Sequence, residues 1–146
     1  MSTPVLNGRT IGLAHYSTRA VLESTLTGLG LTFHQQLALN GIGGEPGGSI
    51  ERGVLIGRLA DALKVAEAVA AATVDEVLAV GWADESGAPA VLALTEEGRV
   101  LHARISESVR DIVERVYGGL PADELAVAAR VLTAVTERAN AILAGA

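Results

Sequence analysis

Apolar side chains in the last third of the chain recur every three or four residues, which is the spacing of one face of an α-helix. The first stretch with this spacing contains Leu101, Ile105, Val109, Ile112 and Val116. Glycines 118 and 119 close it, and Pro121 then begins a second stretch with the same spacing that continues to about residue 142. The pattern predicts two long consecutive helices and a mostly helical protein.

The first third of the chain predicts two more helices. Residues 8–28 form the first, which ends at glycines 28 and 30. Thr32 and Gln35 have the spacing of a capping box, so the second helix is expected to run from there to about Asn40. Residues 41–48 contain five glycines and are predicted to be a loop, which leads into a very short strand near Ser49.

The middle of the chain predicts a helix-turn-helix unit followed by a hairpin. Residues 51–63 and 67–80 are the two helices, and residues 64–66 are the turn between them. Residues 82–83 and 90–94 are expected to pair as a small hairpin, with residues 84–87 as its turn. Thr95 is placed to cap the long helix that follows.

Composition narrows the class of protein. The chain has 146 residues, no cysteine and a formal net charge of -6, and 49% of its residues are hydrophobic although only 3% are aromatic. Small aliphatic side chains suit close packing between helices. No signal-peptide or membrane-span pattern is found, so a soluble, cytoplasmic, single-domain protein (residues 1–146) is expected. The negative charge argues against broad affinity for nucleic acid.

The sequence offers little for catalysis or metal binding. The three histidines, His15, His34 and His102, lack metal-ligand spacing, and the absence of cysteine excludes thiolate sites. Neither Ser17 nor Ser49 has an evident base or orienting acid nearby in the sequence. We therefore expect no enzymatic activity, no metal and no cofactor.

Three stretches of the chain resemble the multiple-antibiotic-resistance regulator (MarR) family. Residues 59–65 (LADALKV), followed by Gly81, are similar to its helix-turn-helix. Residues 94–101 (LTEEGRVL) resemble its post-wing signature, and residues 119–125 (GLPADEL) resemble the start of its final helix. The resemblance covers nearly the whole chain. It implies a mostly α winged helix-turn-helix fold with a small β-hairpin wing and long N- and C-terminal dimerisation helices.

The resemblance also implies a function. Residues 1–40 and 100–146 would pair two subunits into a homodimer, and residues 49–98 would form the winged helix-turn-helix lobe. The two recognition helices would enter successive major grooves of a pseudo-palindromic double-stranded DNA site, about 34–36 Å apart. A small aromatic or phenolic effector would bind in a cleft beside the lobe and change this separation. The expected protein is a ligand-responsive regulator of transcription.

The expected DNA contacts are of two kinds, contacts to phosphates and contacts to the major groove. Arg52, Arg58 and Lys64 would hold phosphates. The recognition helix would meet the groove through Glu67, Ala68, Ala71, Ala72 and Asp75. The sequence departs from the family here, because residues 67–80 contain no basic residue and the wing carries Asp84 and Glu85 where the family has arginine.

Two interpretations follow from this departure. In the first, the protein binds DNA through few phosphate contacts, helix N-termini and DNA shape. In the second, the same scaffold is a small-molecule sensor or a protein-interaction dimer in which DNA binding is weak or lost.

The effector cleft is expected to be lined by His15, Tyr16, Arg19, Phe33 and His34. An anionic aromatic ligand would suit Arg19 together with a histidine that donates a hydrogen bond. The alternatives are that His15 and His34 are interface residues with satisfied hydrogen bonds, or that they bind a metal ion across the dimer.

Overall fold

The computed structural model describes residues 2–145, which are mostly helical as the sequence predicts. They divide into two compact units, residues 2–112 and residues 113–145. The helices and strands, in chain order, are α1 (Gly8–Leu29), α2 (Phe33–Gly43), β1 (Ser49–Glu51), α3 (Arg52–Leu63), α4 (Glu67–Val80), β2 (Ala83–Ser86), β3 (Val91–Leu94), α5 (Glu96–Tyr117) and α6 (Ala122–Gly145).

Capping residues fix the boundaries of the first two helices. The Asn7 side chain accepts a hydrogen bond from the Thr10 amide at 3.0 Å and begins α1, which ends at Gly30 in the left-handed region (φ 84°). The predicted capping box is confirmed: the Gln35 amide donates to the Thr32 hydroxyl, and the Gln35 side chain accepts from the Thr32 amide. A cap of this kind stabilises a helix by about 1 kcal/mol.

The loop predicted at residues 41–48 is wrong in its first part, because α2 continues to Gly43. A Cβ at Gly41 would collide with the Leu55 side chain, and one at Gly43 would collide with the side chains of His102 and Leu94. These glycines therefore allow close packing of α2 on its neighbours and do not serve a turn. The connection that follows leads into β1, where the short strand was predicted.

The sheet has three antiparallel strands in the order β1-β3-β2. Ile50 lies opposite Leu92, and Ala83 lies opposite Leu94. The predicted turn at residues 84–87 is displaced along the chain, because residues 84–86 belong to β2 and the turn comprises residues 87–90. Gly87 there has a φ of 82°, which a side chain would disfavour, and Pro89 lies in the same turn.

The core of the first unit is built from aliphatic side chains of α1, α2, α3, α4, α5 and the sheet. Leu26, Leu39, Leu55, Leu92 and Ile105 are each at most 1% exposed. Trp82 joins them with 7% exposure, so the base of the hairpin is anchored in the core. This core holds the helix-turn-helix unit and the hairpin against the first two helices.

Helix α6 belongs to the second unit and contains no buried residue. Several of its large apolar side chains are exposed, including Val127, Leu132, Val135, Ile142 and Leu143. Pro121, predicted as its first residue, lies one position before it, and its carbonyl accepts from the Leu125 amide. Among the described residues, no helix has the length and apolar character needed to cross a membrane.

Candidate functional site

Helix α4 occupies the position predicted for the recognition helix. It follows a turn in which Lys64 adopts the left-handed conformation (φ 56°), and it ends at Gly81 (φ 91°). Ala70, Thr73, Val74 and Val77 are buried against the core. Of the predicted groove residues, Glu67, Ala68, Ala72 and Asp75 are exposed and Ala71 is half-buried. The side chains at these predicted groove positions are therefore alanines and acids.

Arg52, the first residue of α3, is held by two carboxylates. Its guanidinium donates to Asp75 of α4 at 2.6 Å and lies 3.7 Å from Glu85 of β2. The Arg52 side chain is 24% exposed, so it is partly enclosed by these partners. The arrangement links α3, α4 and the wing, and a phosphate would have to compete with both acids for the same guanidinium.

The other two predicted phosphate ligands are also paired with acids. Arg58 donates to Glu45 in the connection before β1 at 3.0 Å, and Lys64 donates to Asp61 one turn earlier on α3 at 3.1 Å. Both basic side chains are about half exposed. Exposed pairs of this kind contribute at most about 1 kcal/mol, so they can exchange for a phosphate at little cost.

Acidic residues strongly outnumber basic residues in the winged helix-turn-helix lobe. Residues 49–98 contain nine acidic residues and three basic residues, the latter being Arg52, Arg58 and Lys64. The excess of negative charge in this segment equals the formal net charge of the whole chain, -6. Phosphates therefore meet a repulsive field unless the contact is confined to these cations.

The start of α5 is fastened to the end of α4 through the motif LTEEGRVL. The Thr95 hydroxyl donates to the Gly81 carbonyl at 2.7 Å and accepts from the Gly98 amide at 3.0 Å, which confirms the predicted cap. The Thr95 amide donates to the Trp82 carbonyl. A Cβ on Gly98 would collide with that same carbonyl, so only glycine fits there. These contacts fix where the hairpin begins relative to the end of α4.

A cavity of about 620 Å³ lies between α1, α2 and α4. We call it the α4 cavity, and its lining residues are Arg19, Glu23, Thr32, Phe33, His34, Ala68, Val69, Ala72, Thr73 and Glu76. Three of the predicted effector residues, Arg19, Phe33 and His34, are brought together here. Ala68 and Ala72, which are predicted to face DNA, are exposed and also line this cavity, because residues four apart share one side of a helix. An occupant would therefore touch α4 directly.

Arg19 has two partners inside the cavity. Its Nε donates to Glu23, one turn further along α1, at 2.9 Å. Its guanidinium also lies over the Phe33 ring, 4.2 Å from the ring centre. Such stacking on an aromatic face is favourable for a cation and orients the guanidinium. Arg19 is therefore engaged on two sides before any ligand enters.

Five residues that line the cavity were not predicted as site residues: Glu76, Glu23, Val69, Thr32 and Thr73. The Glu76 carboxylate accepts a hydrogen bond from the Gln35 side-chain amide at 2.9 Å. Helical spacing from Ala68 and Ala72 reaches Glu76 at the next step, so the sequence did contain a signal for it. The side of α4 that carries Ala68, Ala72 and Glu76 faces a cavity because of how α2 packs against α4. The sequence pattern does not predict that packing.

His15 and Tyr16 are not among the residues that line the α4 cavity. Both are exposed on α1, where their rings contact each other with centroids 5.5 Å apart. His15 and Tyr16 precede Arg19 by four and three residues, so they lie on the same side of α1, one turn nearer its start. That they share an effector site with Arg19 stays a prediction. Among residues 2–145, no group of three His, Cys, Asp or Glu side chains could hold a metal ion.

Comparison with known proteins gives the same architecture. No protein-family model and no curated protein sequence matches the chain. Solved structures do match. The oxidised form of MarR from E. coli is 23% identical with a TM-score of 0.68, and the match covers 92% of this chain and 96% of that one.

Two further structures extend the comparison. A cysteine-to-serine mutant of E. coli MarR in complex with operator DNA is 22% identical with a TM-score of 0.72, covering 88% of this chain and 91% of that one. NadR in complex with 4-hydroxyphenylacetate is 17% identical with a TM-score of 0.72, covering 92% and 99%. The chain therefore has the winged helix-turn-helix fold of the MarR-family transcriptional regulators.

Proposed function

We propose that this chain is a MarR-family transcriptional regulator that works as a homodimer, binds a pseudo-palindromic double-stranded DNA site and responds to a small aromatic effector. The observation that carries the proposal is the arrangement of α3, the turn at Lys64, α4 and the hairpin. A protein of the same fold, matched over 88% of this chain, has been solved with operator DNA. The proposal includes no enzymatic activity.

The dimer is supported by α6. A helix of 24 residues with no buried side chain leaves its apolar stripe in water. Burying apolar surface is worth about 25 cal/mol for each Å², so a second copy that covers this stripe supplies a large stabilisation. A two-fold dimer also presents two α4 helices, as a pseudo-palindromic site requires.

DNA binding in this proposal depends on exchanging ion pairs. Arg52, Arg58 and Lys64 each leave a carboxylate to contact a phosphate. Each phosphate neutralised in this way contributes about −0.9 to the slope of log K against log salt concentration. With few cations available, affinity is modest and sequence preference comes largely from DNA shape.

Effector binding is supported by the α4 cavity. It is about 620 Å³ in volume, within the usual range for small-molecule sites, and Phe33 supplies an aromatic wall. Because Ala68, Val69 and Ala72 of α4 form part of its lining, a ligand displaces or fixes the recognition helix without an intermediate element. Such a ligand changes DNA affinity only to the extent that it binds one arrangement of the helices better than the other.

A second candidate function is a small-molecule sensor or protein-interaction dimer that does not bind DNA. It is favoured by one observation: α4 has no basic residue, and all three cations of the lobe are paired with acids. This candidate predicts that a ligand raises the melting temperature without any effect of DNA.

Gel-shift titration of the full chain on its own upstream region separates the two candidates. At about 50 mM salt, where weak electrostatic contacts are strongest, the regulator shifts the fragment, and the shift weakens at about 200 mM. Lys64→Ala weakens binding to all fragments alike and makes the salt slope less negative, whereas Arg130→Ala, in α6, changes neither. A dimer that shifts no genomic fragment at low salt supports the sensor.

A further inference from the structure

The charges around the α4 cavity are unequal. Two carboxylates, Glu23 and Glu76, and one guanidinium, Arg19, line it. The remaining polar lining consists of two threonine hydroxyls and the His34 ring. With neutral histidine, the lining therefore carries an excess of one negative charge.

The one guanidinium that lines this cavity, that of Arg19, already has interaction partners. Arg19 forms an ion pair with Glu23 at 2.9 Å and lies over the Phe33 ring. A carboxylate ligand that replaced Glu23 would leave that glutamate without its partner. It would also bring a third negative charge beside Glu23 and Glu76. Both effects weaken the binding of an anion, by a modest amount because the Arg19 and Glu23 side chains are 33% and 44% exposed.

The negative charge of Glu76 is not neutralised in the same way. The Glu76 carboxylate accepts a hydrogen bond from the Gln35 side-chain amide, which is a neutral donor. A neutral donor orients the carboxylate but leaves its full charge available. The apolar side chains of Val69, Ala72 and Phe33 lie in the same lining and can cover an aromatic ring.

We propose that the α4 cavity selects an aromatic ligand that carries a positively charged amine, and not an aromatic acid. The ring packs on Phe33, Val69 and Ala72, and the ammonium group lies at Glu76 with Glu23 nearby. This replaces the expectation of an anionic ligand bound by Arg19. It rests on the proposed role of the cavity as an effector site and specifies the charge of the effector.

Three probes with the same phenol ring test the sign of the charge. Tyramine carries an ammonium group, 4-hydroxyphenylethanol is neutral, and 4-hydroxyphenylacetate carries a carboxylate. Calorimetric titration of the full chain without DNA is expected to give tyramine an affinity about fivefold or more above that of the neutral probe. The carboxylate is expected to bind more weakly than the neutral probe. The advantage of tyramine shrinks as salt is raised.

Two variants assign the selectivity to the cavity. Glu76→Gln removes the charge but keeps an oxygen for the Gln35 amide, so the preference for tyramine over 4-hydroxyphenylethanol is lost. Glu67→Gln is the matched control, because Glu67 is exposed on the same helix and does not line the cavity. Glu23→Gln releases Arg19 and is expected to raise the affinity for 4-hydroxyphenylacetate.

The outcomes separate this inference from the proposed function. Equal or tighter binding of 4-hydroxyphenylacetate than of tyramine overturns the inference, and so does the absence of tyramine binding at about 10 mM, where even very weak sites fill. A preference for tyramine that survives in Glu76→Gln overturns it as well. If tyramine binds as expected but no DNA fragment is shifted, the inference holds and the proposed regulator does not.

Discussion

Helices α4 and α6 are built from similar residues and have opposite surroundings. Both are rich in alanine and valine. Yet α4 buries Ala70, Thr73, Val74 and Val77, whereas α6 buries none of its described side chains. Residue composition therefore does not decide whether a helix is buried, and the packing around it does.

The same substitution in the two helices tests this difference and has the largest expected effect. Val77→Asp places an unpaired charge where 1% of the side chain is exposed, at a cost of several kcal/mol. This approaches the whole stability of a typical domain, about 5–15 kcal/mol, so cooperative thermal unfolding is lost. Val135→Asp is expected to keep the helical circular dichroism spectrum but to elute as a monomer.

Arg130→Ala is the control for that comparison, because its position on the helix points away from the stripe of Leu132 and Val135. It should leave both the spectrum and the elution volume unchanged. A Val135→Asp variant that still elutes as a dimer would remove α6 from the proposed interface.

A smaller effect is expected where the end of α4 is fastened to α5. Gly98→Ala forces a Cβ against the Trp82 carbonyl and should lower the free energy of unfolding by about 1–3 kcal/mol. Gly57→Ala, inside α3 with open space around the new Cβ, should raise it by up to about 1 kcal/mol. Urea denaturation measures both. A Gly98→Ala variant that is as stable as the unsubstituted chain would contradict the collision with the Trp82 carbonyl.

The smallest effect concerns the outer side of α4, where Arg52 bridges Asp75 and Glu85. Arg52→Gln should lower stability by at most about 1 kcal/mol, because both carboxylates are exposed and screened by solvent. The difference should disappear at about 1 M salt. Lys64→Gln, which breaks a pair within one turn, should change stability less. A salt-independent loss in Arg52→Gln would point to packing of its aliphatic stem.

Much of the fold could be predicted because its signals are local. The capping box at Thr32 and Gln35, the stop at Gly81 and the cap at Thr95 each depend on residues within a few positions. The end of α2 could not be predicted, because Gly41 and Gly43 look like turn residues. Their role is to make room for Leu55, Leu94 and His102, which lie far along the chain.

The candidate site was less predictable, for a related reason. Arg19, Phe33 and His34 were expected together and do line one cavity, but His15 and Tyr16 lie outside it. Glu23 and Glu76 are 53 residues apart, and no local pattern in the sequence brings them together. Only the packing of α1, α2 and α4 places them around a common space. Likewise, no local pattern indicated that Arg52 and Arg58 would pair with acids 23 and 13 residues away.

The exposed apolar side of α6 makes the oligomeric state of the proposed dimer depend on protein concentration. Where a second copy provides the cover, pairing obeys mass action, so dilution during growth separates the copies and renewed synthesis restores them. In the proposed dimer, the fraction of paired chains therefore depends on the concentration of the protein as well as on any ligand in the cavity.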